Sequence, residues 1–177
     1  TVLSRLVIVK RTGAADRFLH LNTNRGRLSI ATAGQTHGHS TVNSVGAYGV
    51  AATPAVGPFP NPFSAVNTVE TFSSDGPRRI FYNAAGSAIT LGNVSSTGGQ
   101  VLAKPDITAA DGVAVTGVGG FSNPFFGTSA AAPHAAAIAA LVMHAVPGRT
   151  QTQIRTALAS GAIDIEASGP DRDSGVG

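Results

Sequence analysis

Ser129 is the residue of this sequence whose type and position are best suited to covalent chemistry. It follows Gly127 and Thr128 at the end of a Gly-containing loop and opens an Ala-rich, almost uncharged run. A serine at the start of a helix presents its hydroxyl at the positive end of the helix dipole, and its backbone N–H has no acceptor within the helix. That N–H can bind an oxyanion, and Gly127 lets a substrate backbone come close. These features favour acyl transfer by a nucleophilic serine, although most serines in such positions only cap the helix.

The histidines are the residues from which a base for Ser129 would come. His134 lies five positions later on the same predicted helix, about 140° around its axis, so the two side chains diverge. We expect His144, further along, to pack or to cap the helix end. His37 and His39 would share one face of a strand, a spacing that suits a metal site or a base. We favour a polar strand face over either of these roles.

Asp171, Asp173 and Gly175 are spaced like the first positions of a calcium-binding loop. The glutamate that completes an EF-hand loop is missing at the required distance. We therefore interpret these residues as a connecting loop and expect no cofactor, with a structural calcium ion as an alternative that the sequence does not support.

Apolar runs separated by turn residues predict a small antiparallel β segment at the start of the chain, with strands at residues 6–9, 18–21 and 28–30. Residues 41–50 predict a buried strand, and residues 113–118 predict another. The prolines within residues 53–63 exclude regular structure there.

After residue 128 the spacing of the apolar residues becomes that of a helix. Residues 129–145 are apolar on every face, which is typical of a helix in the middle of a core, and Pro133 falls in or just after its first turn. Thr150 and Gln153 form a capping box that predicts a second helix, which Gly161 ends. Its apolar stripe consists of Ile154, Ala157 and Leu158. A β segment followed by alternating strands and helices predicts an α/β fold with a mainly parallel sheet.

The composition is that of a globular domain. Of the 177 residues, 42% are hydrophobic and only 12% are charged, and there is no cysteine, which excludes disulfides and thiolate sites. Six basic residues lie between Arg5 and Arg27, against a single acidic residue, Asp16. That cluster is compatible with nucleic-acid binding, but no aromatic stacking pattern accompanies it, so we favour solvent-facing strand positions. The longest apolar stretch contains a proline and two histidines, which favours a buried helix over a membrane span.

Several segments resemble motifs of the subtilisin-like serine peptidases, the peptidase S8 family, and occur in the order found in that family. Residues 127–134 resemble the nucleophile motif G-T-S-x-A-x-P-H. The other three similar segments are residues 45–47 (V-G-A), 72–77 (F-S-x-x-G-P) and 104–109 (K-P-D-I-x-A). The chain departs from the family at residues 110–112, where relatives usually have Pro-Gly. We expect that departure to affect a loop and not the site.

This resemblance implies a Ser–His–Asp enzyme in which Ser129 attacks a polypeptide substrate and needs no cofactor. The family's chain order is Asp, His, Ser. Nothing before Ser129 resembles the family's D-T/S-G, H-G-T-H or A-G-N-x-G motifs, and Asn22 and Asn24 lack the context of the oxyanion asparagine. The only methionine is Met143, so Thr1 is not a translation start, and we expect the chain to be part of a longer protein.

We therefore predict that residues 41–177 are the C-terminal half of a subtilisin-like domain, a mainly parallel sheet flanked by helices. Residues 1–40 are predicted to be a β-rich insertion. The predicted partners are a polypeptide substrate and the upstream half of the same catalytic domain, without nucleic acid or membrane, and family resemblance implies a secreted or periplasmic protein. The chain alone is expected to be inactive. The alternatives are a pseudoprotease or binding module without the full triad, and a basic nucleic-acid-binding protein.

Overall fold

The computed structural model describes residues 5–21, 46–55 and 61–177. Predictions that fall on the remaining residues, among them His37, His39, Asn22 and Asn24, lie outside the described part of the chain. In chain order the elements are strands β1 (Val50–Pro54), β2 (Arg78–Ile80), β3 (Gln100–Leu102) and β4 (Ile107–Asp111), a short 3₁₀ helix (Val118–Gly120), and helices α1 (Thr128–Ala145) and α2 (Gln151–Gly161).

Strands β1 and β4 pair in parallel, with Val50 opposite Ile107 and Pro54 opposite Asp111. Helix α1 packs on both strands, and its alanines join the strand residues in one core. That core consists of Ala52, Ile107, Ala109, Ala131, Ala135 and Leu158. Strands β2 and β3 form a separate antiparallel pair. A parallel sheet packed against helices confirms the predicted α/β class.

The far side of β4 is bordered by the last residues of the chain. The Thr108 N–H donates to the Gly177 carbonyl at 2.9 Å, and the Val176 N–H donates to the Asp106 carbonyl at 3.2 Å. The Thr108 hydroxyl adds a bond to the Ser174 carbonyl at 2.9 Å. Strand β4 therefore lies between β1 and a segment from the opposite end of the sequence.

The predicted strands at residues 6–9 and 18–21 are wrong, because residues 5–21 form no strand. Residues 6–9 are exposed, and β structure needs a partner strand or a surface to cover. Phe18 instead packs against Phe81, and its N–H donates to the Val94 carbonyl at 2.9 Å. The boundary near residue 40 stays a prediction.

Two strand positions also differ from the sequence prediction. Strand β1 includes Thr53 and Pro54, within the stretch from which prolines were expected to exclude regular structure. Pro54 is the last residue of β1, an outer strand of its two-stranded sheet, and a proline is tolerated in such a strand. The strand predicted at residues 113–118 is absent, since β4 ends at Asp111 and Val113 makes only an isolated bridge with Phe125.

Both predicted helices are present. The Thr150 side chain accepts from the Gln153 N–H and the Gln153 side chain accepts from the Thr150 N–H, which confirms the capping box of α2. Within α1, however, the buried residues are Ala130, Ala131 and Ala135. The expectation of burial on every face is wrong, because Leu141 is 67% exposed and its apolar neighbours Ile138 and Met143 are also exposed. In the described ranges, neither helix has the length and hydrophobicity that a bilayer crossing requires.

Candidate functional site

Ser129 is the second residue of α1 and its side chain is exposed, as the sequence predicted. The residue before the helix, Gly127, has φ 136°, a backbone conformation that side chains with a Cβ rarely adopt. The helix begins beside the carboxyl ends of β1 and β4, because the Gly127 N–H bonds to the last residue of β4. Ligands of open parallel sheets bind at this edge. Local backbone geometry therefore places Ser129 where a substrate can reach it.

The backbone donors at the start of α1 differ in whether they have an acceptor. The N–H groups of Ala130 and Ala131 both donate to the Gly127 carbonyl, at 2.8 and 3.3 Å. The Ser129 N–H makes no hydrogen bond to any residue that the structure describes. It is a free donor at the positive end of an 18-residue helix. Such a group can stabilise the oxyanion of an acyl-transfer intermediate.

No described histidine serves Ser129 as a base. The His134 Nδ1 lies 2.8 Å from the Ala130 carbonyl oxygen, so the ring donates to the backbone of its own helix. That contact occupies His134 within its own helix and agrees with the divergence of the two side chains expected from the helical spacing. His144 is exposed in the last turn of α1, at the far end from Ser129. Within the described ranges, the Ser129 hydroxyl has no hydrogen-bond partner at all.

Asp111 is a site residue that the sequence reasoning missed. It is fully buried, and its Oδ2 accepts a hydrogen bond from the Gly127 N–H at 2.7 Å. Its Oδ1 is buried and has no partner among the described residues. The expectation that the departure at residues 110–112 leaves the site untouched is therefore wrong. The alternation of β4, which turns Ile107, Ala109 and Asp111 to the core side, was the signal that could have found it.

A second carboxyl group lies near Asp111. The Glu70 N–H donates to the Ala52 carbonyl of β1 at 2.7 Å, which fixes this residue beside the sheet. Burial raises the pKa of Glu70, and the nearby charge of Asp111 raises it further. The carboxyl edge of the sheet therefore carries two neighbouring acidic side chains as well as the serine.

The F-S-x-x-G-P segment, which was selected by resemblance, docks onto the sheet. The Ser73 hydroxyl accepts from the Ala52 N–H at 3.0 Å, inside β1. Gly76 approaches Lys104 so closely that a Cβ there would lie 1.5 Å from the Lys104 carbonyl oxygen. Only glycine fits such a contact between two backbones. This motif has a structural role and supplies no group to Ser129.

The K-P-D-I-x-A segment forms a buried ionic cluster at the amino edge of β4. Asp106 accepts a hydrogen bond from the Gly49 N–H at 2.6 Å and pairs with both Lys104 and Arg155. Lys104 also donates to the Ala47 carbonyl at 2.7 Å. The cluster joins β4 to α2 and to the residues before β1, at the end of the strand opposite to Ser129.

Asp171 organises the loop that the sequence compared with a calcium site. Its Oδ1 accepts from the N–H groups of Asp173 and Ser174, both at 2.7 Å. Its Oδ2 accepts from the Ser174 hydroxyl at 2.8 Å and from the Ala167 N–H at 3.2 Å. Among the described residues, no three acidic or histidine side chains are grouped to hold a metal. The carboxylate therefore serves the loop backbone.

The comparisons with known proteins bear on this arrangement. The model of the Subtilase family, Peptidase_S8, matches residues 9–177. No curated protein and no solved structure shows a significant match to the chain.

Proposed function

Because the chain belongs to the subtilase family, we propose that it is the nucleophile-bearing part of a serine endopeptidase, with Ser129 as the nucleophile. The observation that carries this proposal is the exposed Ser129 at the start of α1, with its own N–H free of any described acceptor. The family match covers that helix and the sheet edge from which it begins. A hydroxyl and an oxyanion donor on one residue are two of the groups that acyl transfer by a serine requires.

The proposed reaction proceeds in two steps. In the first, the Ser129 Oγ attacks the scissile carbonyl while a histidine base takes the hydroxyl proton, and that proton then goes to the departing amine. In the second, water attacks the acyl group on Ser129 and the same base takes the proton of the water. The ester bond to the Ser129 Oγ then breaks, the base returns the proton to that oxygen, and the acyl group leaves as a carboxylic acid. The Ser129 N–H donates to the oxyanion in both steps. The residues of this chain supply the nucleophile and that single donor.

The remaining groups come from an upstream segment in this proposal. It would supply the histidine base, the aspartate that orients it, and an asparagine as the second oxyanion donor. The exposed apolar face of α1 supports such a partner. Leu141 is 67% exposed, and Ile138 and Met143 lie on the same helix with half of their surfaces in solvent. A helix of a soluble domain normally buries such residues against another element. By family membership alone, we propose a secreted or periplasmic location.

The test is hydrolysis of a peptide substrate by the complete protein and by its Ser129→Ala variant. Loss of the nucleophile is expected to lower kcat by about a million-fold, a value measured in subtilisin itself. A fluorophosphonate probe should label the complete protein at Ser129. The isolated chain should not be labelled, because a serine hydroxyl without a base is a weak nucleophile. Retention of a tenth of the activity in Ser129→Ala, or stoichiometric labelling of the isolated chain, would contradict the proposal.

A second candidate function is a pseudoprotease that binds polypeptides without cleaving them. The observation that favours it is the absence of any described base at Ser129. The two candidates separate on the upstream sequence of the parent gene: intact aspartate and histidine motifs there support the peptidase, and degraded motifs support the pseudoprotease.

A further inference from the structure

Asp111 lies directly beneath the start of α1. It ends β4, and the alternation of that strand places it on the same side as Ile107 and Ala109, the side on which α1 packs. Its side chain is fully buried, and Oδ2 is 2.7 Å from the Gly127 nitrogen. The bonded amide belongs to the N-cap residue of α1, two positions before Ser129. Asp111 is thus connected to the nucleophile through a very short stretch of backbone.

Helix α1 has no cap of its own. Its N-cap residue is a glycine without a side chain, no side-chain cap bond is made, and no acidic residue occupies the first turn. Asp111 supplies from another element what those residues lack, namely an acceptor for a terminal N–H and a negative charge at the positive end of the helix dipole. The conformation of Gly127, with φ 136°, makes an external anchor more important, because glycine restricts the backbone least.

We propose that Asp111 is a positioning residue for Ser129. By holding the Gly127 N–H, it fixes the direction in which the chain enters α1, and thereby the places of the Ser129 hydroxyl and of the Ser129 N–H. This inference rests on the proposed function of Ser129 and adds to it a residue that the nucleophile motif does not contain.

The unused oxygen of Asp111 supports a role beyond stability. A buried carboxyl oxygen without a donor is costly, and buried polar atoms in folded proteins are nearly always paired. Among the described residues nothing donates to Oδ1. A residue that only stabilised the fold would be expected to have both oxygens bonded, as Asp106 has. Departures from such rules concentrate at functional sites.

The test measures kcat and KM of the complete protein and of two variants, Asp111→Ala and Asp111→Asn, per active site as titrated with a fluorophosphonate. Asp111→Ala removes the acceptor, and misplacement of the nucleophile is expected to lower kcat about 100-fold with little change in KM. Asp111→Asn keeps an oxygen for the Gly127 N–H, so it should recover kcat to within about tenfold of the wild type. Should Asp111→Ala not fold, Asp111→Ser, whose hydroxyl is too short to reach Gly127, takes its place.

The matched control is Asp106→Ala, which removes another buried aspartate from the same segment but leaves Gly127 anchored. It should lose stability and keep its kcat per titrated site. A wild-type kcat in Asp111→Ala overturns the inference, and so does an Asp111→Asn variant that is as slow as Asp111→Ala. Failure of the proposed function has a different signature: either the wild type does not hydrolyse the substrate, or the Ser129→Ala variant hydrolyses it as the wild type does.

Discussion

Two buried aspartates lie at opposite ends of β4 and differ in how completely they are bonded. Asp106, at the amino end, is 8% exposed and pairs with Lys104 and Arg155 while it also accepts the Gly49 N–H. Asp111, at the carboxyl end, is fully buried, and among the described residues its side chain accepts one hydrogen bond, from the Gly127 N–H. The aspartate at the amino edge of the sheet has partners on both of its carboxyl oxygens. The aspartate at the carboxyl edge has a described partner on one oxygen.

The difference indicates that the two edges of the sheet have different roles. The amino edge holds the fold together, since its charges are paired and link β4 to α2 and to the segment before β1. The carboxyl edge carries the proposed nucleophile, a carboxyl oxygen with no partner among the described residues, and a second acidic residue, Glu70, whose pKa is raised. Parallel sheets bind ligands at their carboxyl edge. Stability and chemistry are thus separated along a single five-residue strand.

The largest expected effect that would sharpen this comparison is the loss of stability in Asp106→Ala. Replacing Asp106 leaves the ammonium group of Lys104, whose side chain is 5% exposed, without its carboxylate partner. Breaking a buried ion pair on one side costs about 3–5 kcal/mol of the free energy of unfolding. Urea denaturation of the complete protein measures it. Asp173→Ala, at a half-exposed position, is the control and should change that free energy by less than about 1 kcal/mol. An equally small loss of the free energy of unfolding in Asp106→Ala and Asp173→Ala would contradict the stabilising role of the amino edge.

A smaller effect is expected on self-association through the exposed apolar residues of α1, which lie at neither edge of the sheet. The isolated chain should self-associate, because Leu141 is 67% exposed and Ile138, three residues earlier on the same face of the helix, is 50% exposed. Leu141→Ser should weaken that association about tenfold or more, since burying a leucine contributes about 1.5–3 kcal/mol. Light scattering over a concentration series measures the change. Val66→Ser, at an exposed loop position, is the control. A wild-type chain that is monomeric throughout would contradict the prediction.

The smallest effect concerns the pH dependence of stability at the carboxyl edge. The pKa of Glu70 in the folded chain is raised above its ordinary value of 4.5, first by burial and then by Asp111. The folded state therefore binds this proton more tightly, and its stability falls as the pH rises through and above that value. Glu70→Gln cannot ionise and should be more stable than the wild type at neutral pH, with the difference vanishing below about pH 4.

Thermal unfolding at several pH values checks the Glu70 prediction. Asp16→Asn is a control of opposite sign, because Lys10 lowers the pKa of Asp16 through a hydrogen bond and through its charge. An advantage of Glu70→Gln that is largest at low pH would contradict the assignment.

The sequence predicted those features that depend on neighbouring residues. The start of α1, predicted at Ser129 and found one residue earlier, and the capping box of α2 both depend on residues within a few positions of each other. It failed where a feature depends on a distant partner. Residues 6–9 have a strand-like composition but pair with no strand in the described part of the chain. The role of Asp111 depends on Gly127, which lies 16 residues later. The exposure of Leu141 was missed for the same reason, because an apolar pattern does not show what covers it.

The pairing of β4 also sets an order in which the sheet can be completed during synthesis. One neighbour of β4 is β1, which lies 57 residues earlier in the chain, as the hydrogen bond between Gly49 and Asp106 shows. On the other side, the Thr108 hydroxyl bonds to Ser174, 66 residues later. Contacts of such long sequence separation form slowly, and a chain on the ribosome grows by only about 5–20 residues per second. Strand β4 therefore spends seconds with one side open while α1 and α2 are already made. A chaperone that shields open strand edges can bind β4 during that interval.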